Sequence, residues 1–171
     1  AIYEMTKYLI QEGHKKIIYV SDFEDRTTVE NDKISGYLKA IEDNELEFSK
    51  IYVVGGNKHN KAYELGKTLA EKKNEFTAAV CSCDEIAIGI MDCFIDSGVK
   101  IPEEVSIAGF GNIREGKFVR PELTTIGEPY YDVGAVGMRM LIKMIKGDKT
   151  QQGLMELPFT LEKRKSVKTL V

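Results

Sequence analysis

The sequence predicts an α/β protein built on a doubly wound parallel sheet. Three observations point there: short runs that are apolar without polar alternation, amphipathic helical segments between them, and their strict alternation along the chain. Ile2, Met5, Leu9 and Ile10 recur at helical spacing, and Gly13 stands where a left-handed stop is expected, so 1–12 reads as a helix. "KIIYVS" at 16–21 is a buried strand. Residues 31–46 place Ile34, Leu38, Ile41 and Leu46 on roughly one helical face, and "KIYVV" at 50–54 is again strand-like. The helix 60–73 precedes the strand "TAAVCS" at 77–82, and the helix 85–97 precedes "VSIAGF" at 105–110. After "LTTIGEP" a further helix covers 131–146, a polar connection follows, and an extended piece ends the pattern at 154–161. In sheets of this kind ligands bind beyond the carboxyl ends of the strands. The loops to watch are therefore 21–31, 55–60, 82–85 and 110–118.

With 171 residues, 43% of them hydrophobic, the chain can bury one sizeable core. Its 24 basic and 27 acidic residues give a net charge of −3 with no long basic block, which disfavours nucleic acid as a partner of these residues. The three cysteines, Cys81, Cys83 and Cys93, are an odd number and read as reduced thiols. No run of about 18 apolar residues exists, and the start lacks a basic-then-apolar export pattern. A soluble, cytoplasmic protein is expected. The chain opens mid-helix without an initiator methionine, which leads us to expect a piece of something longer.

Several local patterns could carry chemistry. Gly109 and Gly111 follow a buried strand, as a phosphate cradle would require, but no third glycine and no Lys-Ser/Thr stands in register. Cys81-x-Cys83 could be half of a zinc site; on one continuous strand face, both instead read as small packing side chains. Asp84 reads as a helix N-cap ahead of a general base. No Ser-His-Asp or Cys-His arrangement is recognisable, so nothing argues for an enzyme, a metal or a cofactor. The helix "YYDVGAVGMRMLIK" carries small residues, Gly134, Ala135 and Gly137, with Arg139 and Lys143 stacked four apart. Such a face suits close approach of a negatively charged partner, or it is simply solvated.

Together, "YLIQEGHKKIIYV", "KISGYLKAI", "CDEIAIGIMDCFIDSGVKIPEEVSIAGFGN", "RPELTTI" and "LPFTLEKRKS" resemble the regulatory part of the LacI/GalR family of bacterial transcription regulators. The resemblance spans nearly the whole chain. It implies periplasmic-binding-protein-like lobes of type I hinged around a ligand cleft, a DNA-binding helix-turn-helix head outside this sequence, repressor function and a homodimer. On this reading 13–128 form the second lobe and 148–171 return to it as a tail. Helices 1–12 and 129–147 belong to a mostly missing first lobe, so their apolar faces are expected to be partly uncovered.

The resemblance also assigns residues. Ser21, Asp22, Lys33, Cys83, Asp84, Gly111 and Asn112 fall at the effector cleft. Sugar-binding relatives commonly have arginine, asparagine and aspartate where this chain has Lys33, Cys83 and Gly111, so ordinary sugar recognition is weakened while Lys33 suits a sugar phosphate. A subgroup that governs carbon catabolite control takes its signal from the serine-phosphorylated phosphocarrier protein HPr. Tyr131, Asp132, Ala135, Val136, Arg139 and Lys143 fall on that surface, with Arg139 facing the phosphoserine. Dimer contacts fall to Ile88, Met91, Ile95, Phe118 and Val119. Two other functions share these lobes: a LacI-type sensor of a small sugar, and a transport-type sugar-binding protein.

Overall fold

A computed structural model describes residues 1–22, 28–147 and 155–170. Six strands form one sheet in the order β2-β1-β3-β4-β5-β6. They are β1 (Ile17–Ser21), β2 (Ser49–Val53), β3 (Ala78–Cys81), β4 (Ser106–Phe110), β5 (Thr124–Gly127) and β6 (Thr160–Glu162). The first five run parallel, and β6 closes the edge antiparallel to β5. Helices α1 (Ile2–Gln11) and α2 (Thr28–Asp43) share one apolar cluster with one face of the sheet. On the other face lie α3 (Lys58–Glu71) and α4 (Asp84–Asp96). β1 and β3 are buried throughout, as strands covered by helices on both faces must be.

The expectation that the apolar face of helix 1–12 is partly uncovered is not met. Ile2, Met5 and Leu9 are at most 3% exposed and pack with Ile34, Tyr37 and Ile41 of α2 and with the sheet. Gly36 permits that approach, since a Cβ there would lie 3.2 Å from the Tyr3 backbone nitrogen. Gly13 ends the helix at φ +93, and the Leu170 carbonyl sits where a side chain would project. Leu38, expected on the inner stripe of α2, is exposed.

α5 (Tyr130–Ile145) is the opposite case: none of its residues is buried, and Met138, Leu141, Met144 and Ile145 are each at least half exposed. The polar connection after it lies outside the described residues from 148 onward, as does residue 154 of the expected final extended piece.

Two further expectations change. Ile88 and Met91, expected at a dimer surface, belong to the core between α3, α4 and the sheet, at 8% and 0% exposure. α4 is nearly apolar all round and buries most of its surface, so these two residues are covered within the chain. Ile95 and Phe118 are exposed, and Val119 is half-buried. Cys81, the last residue of β3, joins the core, and Cys83, the N-cap of α4, packs against the same apolar cluster, as expected of small packing side chains. Asp84 is therefore the first residue of the helix rather than its cap.

β5 escaped the sequence reading as a strand, and β6 begins only at the end of the extended piece expected at 154–161. β5 holds only one large apolar residue, and its threonines are buried because their hydroxyls are bonded: Thr125 donates to Asp84, and Thr124 accepts from the Arg164 N–H.

Candidate functional site

The carboxyl ends of the strands converge on a cavity of about 280 Å³. Asp22 comes from the end of β1, Cys83 and Asp84 from the turn between β3 and α4, and Phe110 and Gly111 from the end of β4. Lys33 reaches in from α2, Lys58 from the start of α3, and Glu128 and Tyr130 from the exit of β5. Five of the seven expected cleft residues thus line one space: Asp22, Lys33, Cys83, Asp84 and Gly111.

The other two do different work. Ser21 is buried, and its hydroxyl donates to the Glu30 carboxylate at 2.8 Å, beside the Tyr19 hydroxyl at 2.9 Å. Asn112, in the left-handed region at φ 52, accepts from the Arg164 guanidinium and packs against Gly127. Ser21 thus ties β1 to α2, Asn112 ties the turn after β4 to the segment after β6, and neither lines the cavity.

Asp84 lines the cavity with little to offer a ligand. Its carboxylate accepts the Thr125 hydroxyl at 2.5 Å and the Ile113 N–H at 2.8 Å, and the residue is 1% exposed. Burial raises its pKa, opposed by those two hydrogen bonds. Gly109 is required by this arrangement, because a Cβ there would strike the Asp84 carboxylate. Gly111 is required for conformation, with φ +126 and no atom nearer than 3.8 Å to a Cβ built on it. Cys83 is half-buried, and burial raises its thiol pKa, so it is no activated nucleophile.

Both cationic groups are engaged. Lys58 Nζ lies 2.7 Å from the Asp22 carboxylate, which raises the lysine pKa. Lys33 Nζ donates to the Ser82 carbonyl at 2.9 Å and lies 4.2 Å from the centroid of the Phe110 ring. Across the cavity the Tyr130 hydroxyl donates to Glu128 at 2.6 Å, which pushes the Tyr130 pKa up to about 12. The sequence reading missed Lys58, Phe110, Glu128 and Tyr130. Lys58 lay in a loop already marked by the strand-end rule, whereas Glu128 and Tyr130 follow a strand that apolar patterning did not reveal.

The second expected surface lies on α5. Val136, Arg139 and Lys143 line one hollow of about 170 Å³ together with Met140 and Met155. Tyr131 and Asp132 are exposed at the first turn, and Ala135 is half-buried, outside that hollow. Arg139 is exposed, with Nε donating to the Ala135 carbonyl at 3.2 Å. A larger hollow of about 400 Å³ separates α5 from the sheet edge at Phe110 and Phe159. Among the described residues no group of three or more potential ligands could hold a metal ion, and no helix is long and apolar enough to cross a membrane.

A parallel sheet with helices on both faces and a mixed polar cavity at its carboxyl edge is an architecture that the lobes of binding proteins share. Residues 6–167 match the periplasmic binding protein-like domain, and the chain belongs to that family. Among its relatives is catabolite control protein A of Priestia megaterium, 32% identical over 98% of this chain and 51% of the relative. The chain spans about half the length of the curated relatives it matches. Transcription regulator CcpA of Lactococcus lactis superposes with a TM-score of 0.81 at 36% identity, over 98% of this chain and 61% of that one. A LacI family transcriptional regulator from Enterococcus faecium, solved with bound ribose, shares the fold with a TM-score of 0.86 at 24% identity, over 99% and 63%. The LacI/GalR resemblance drawn from the sequence agrees with these relatives.

Proposed function

We propose that this chain is the signal-sensing part of a LacI-type transcription regulator of carbon catabolite control, receiving serine-phosphorylated HPr on α5. The observation that carries this reading is the pairing of Arg139 with Lys143 on a helix none of whose residues is buried. A guanidinium binds a phosphoryl group in a bidentate way, and Gly134, Ala135 and Gly137 keep the neighbouring surface low enough for close approach. α5 is the helix assigned to a first lobe, and the phosphoprotein would bias how that lobe sits on this one. In a homodimer, with Ile95 and Phe118 supplying exposed apolar contacts, that bias would set the spacing of DNA-binding heads outside this sequence. The identity of the relatives supports the regulator class.

The test is a titration of the full chain with serine-phosphorylated and unphosphorylated HPr. Selective binding of the phosphorylated form, lost in Arg139→Ala, is the expected result. Equal binding of both forms, or unchanged affinity in the variant, would remove the phosphoprotein from the account.

A second reading rests on the cavity at the carboxyl edge of the sheet. There the regulator would sense a small sugar or a sugar phosphate, a reading that the engagement of Lys33 with Ser82 and Phe110 and of Lys58 with Asp22 weighs against.

A further inference from the structure

We infer that Lys33 and Lys58 plug the cleft face of this lobe, their ammonium groups filling the places where a small molecule's polar groups would otherwise bind. A polar ligand at the end of a parallel sheet is held by three kinds of feature: a carboxylate, a free strand-end carbonyl and an aromatic face. All three are present here, and each is already in use. Asp22 supplies the carboxylate, and Lys58 Nζ holds it at 2.7 Å. Ser82 supplies the carbonyl and Phe110 the ring, and the single ammonium of Lys33 takes both, at 2.9 Å and 4.2 Å.

These are not incidental surface contacts. The Asp22 side chain is only 9% exposed, so its partner is the group that compensates its burial. Lys33 crosses from α2 to the ends of β3 and β4, joining three elements across the mouth of the cavity. A tethered group competes at an effective concentration on the order of millimolar or above, so a ligand making one contact at each place is outcompeted by the chain itself. Acids also outnumber bases around the cavity: Asp22, Asp84, Glu85 and Glu128 against the two lysines. Trimming one lysine therefore leaves a vacancy with the wrong charge for phosphate and the right charge for a small organic cation. Lys33 and Lys58 are specificity-determining residues in this sense. They make the lobe indifferent to small ligands, and cutting either back creates a receptor for an alkylammonium ion.

The regulatory meaning of the plug rests on the reading of this edge as the effector face, but its occupancy is tested independently of HPr. Backbone amide spectra of the full chain would be followed at Ser82, Phe110 and Cys83 during additions of glucose, glucose 6-phosphate and propylammonium. Propylammonium restores the atoms that Lys33→Ala removes. The wild type is expected to respond to none of the three. Lys33→Ala should show saturable shifts with propylammonium alone, and Lys33→Met, which keeps the length without the charge, should show none. If Lys33→Ala does not fold, Lys58→Ala offers the same vacancy against Asp22. Saturable shifts of the wild type with glucose or glucose 6-phosphate would overturn the plug. So would a folded alanine variant that ignores propylammonium or answers glucose equally well. Failure of the Arg139 titration leaves this result untouched, because that residue lies on a different helix.

Discussion

Both carboxylate oxygens of Asp84 accept from the chain itself, one from the Thr125 hydroxyl and one from the Ile113 N–H, so this acid joins α4 to β5 and to the turn after β4. Asp84→Ala leaves two donors in a site that is 1% exposed, at a cost of about 1–3 kcal/mol each. A urea melt should show a fall of roughly 3 kcal/mol, and a change below about 0.5 kcal/mol would refute the role. The acid was legible in the sequence as a helix-start residue and not as a bridge. Its partners lie far along the chain, and no local pattern announces Thr125. Lys33 was likewise legible as a cation at a cleft, but its engagement with Ser82 and Phe110 depends on how α2 crosses the sheet. Ile88 and Met91 misled for a simpler reason: an apolar helix face looks the same whether it meets a partner or the protein's own sheet.

Among the elements, four helices and four strands could be read from periodicity because each carries an inward stripe and packs on the sheet. β5 could not, since hydroxyls replace methyl groups along it and its burial depends on Asp84 and Arg164. α5 was legible as a helix and as a surface, for an informative reason. It is strongly amphipathic, yet none of its residues is buried among the described residues. Contiguous exposed apolar side chains of this kind mark interaction surfaces. We expect the chain to bind a hydrophobic dye, and Leu141→Glu with Ile145→Glu to abolish most of that signal while shifting stability by no more than about 0.5 kcal/mol. Loss of folding in the double variant would mean that the helix is held from within.

At the scale of the whole molecule, the tail after β6 gathers distant parts. Ser166 accepts from the Thr124 N–H and donates to the Ile107 carbonyl, and the Leu170 N–H donates to the Glu12 carbonyl at 2.6 Å. His14 completes this junction. It is fully buried, with one ring nitrogen 2.9 Å from the Thr77 hydroxyl and the other 3.1 Å from the Lys168 carbonyl. Burial is the largest influence on its pKa and lowers it below the usual 6.5, so the folded protein resists protonation where the unfolded chain accepts it. Stability from this group is full above the unfolded value and declines as pH falls from about 6.5 toward the lowered folded value. His14→Gln should flatten the pH dependence of the thermal midpoint in that window. A curve parallel to that of the wild type would exclude the histidine as its source.

The route between β5 and β6 has a mechanical side. The chain leaves the sheet at Gly127 and returns at Thr160, which are direct partners in the antiparallel pair, so the excursion that carries α5 departs from and rejoins the sheet at one residue pair. A tug on that helix does not spread over the sheet. It arrives as a peeling force on the last pair of one edge seam, where Asn112 and Arg164 are latched beside Gly127. Whatever grips α5 holds a zip by its tab, and the first tooth to open lies beside the mouth of the cavity.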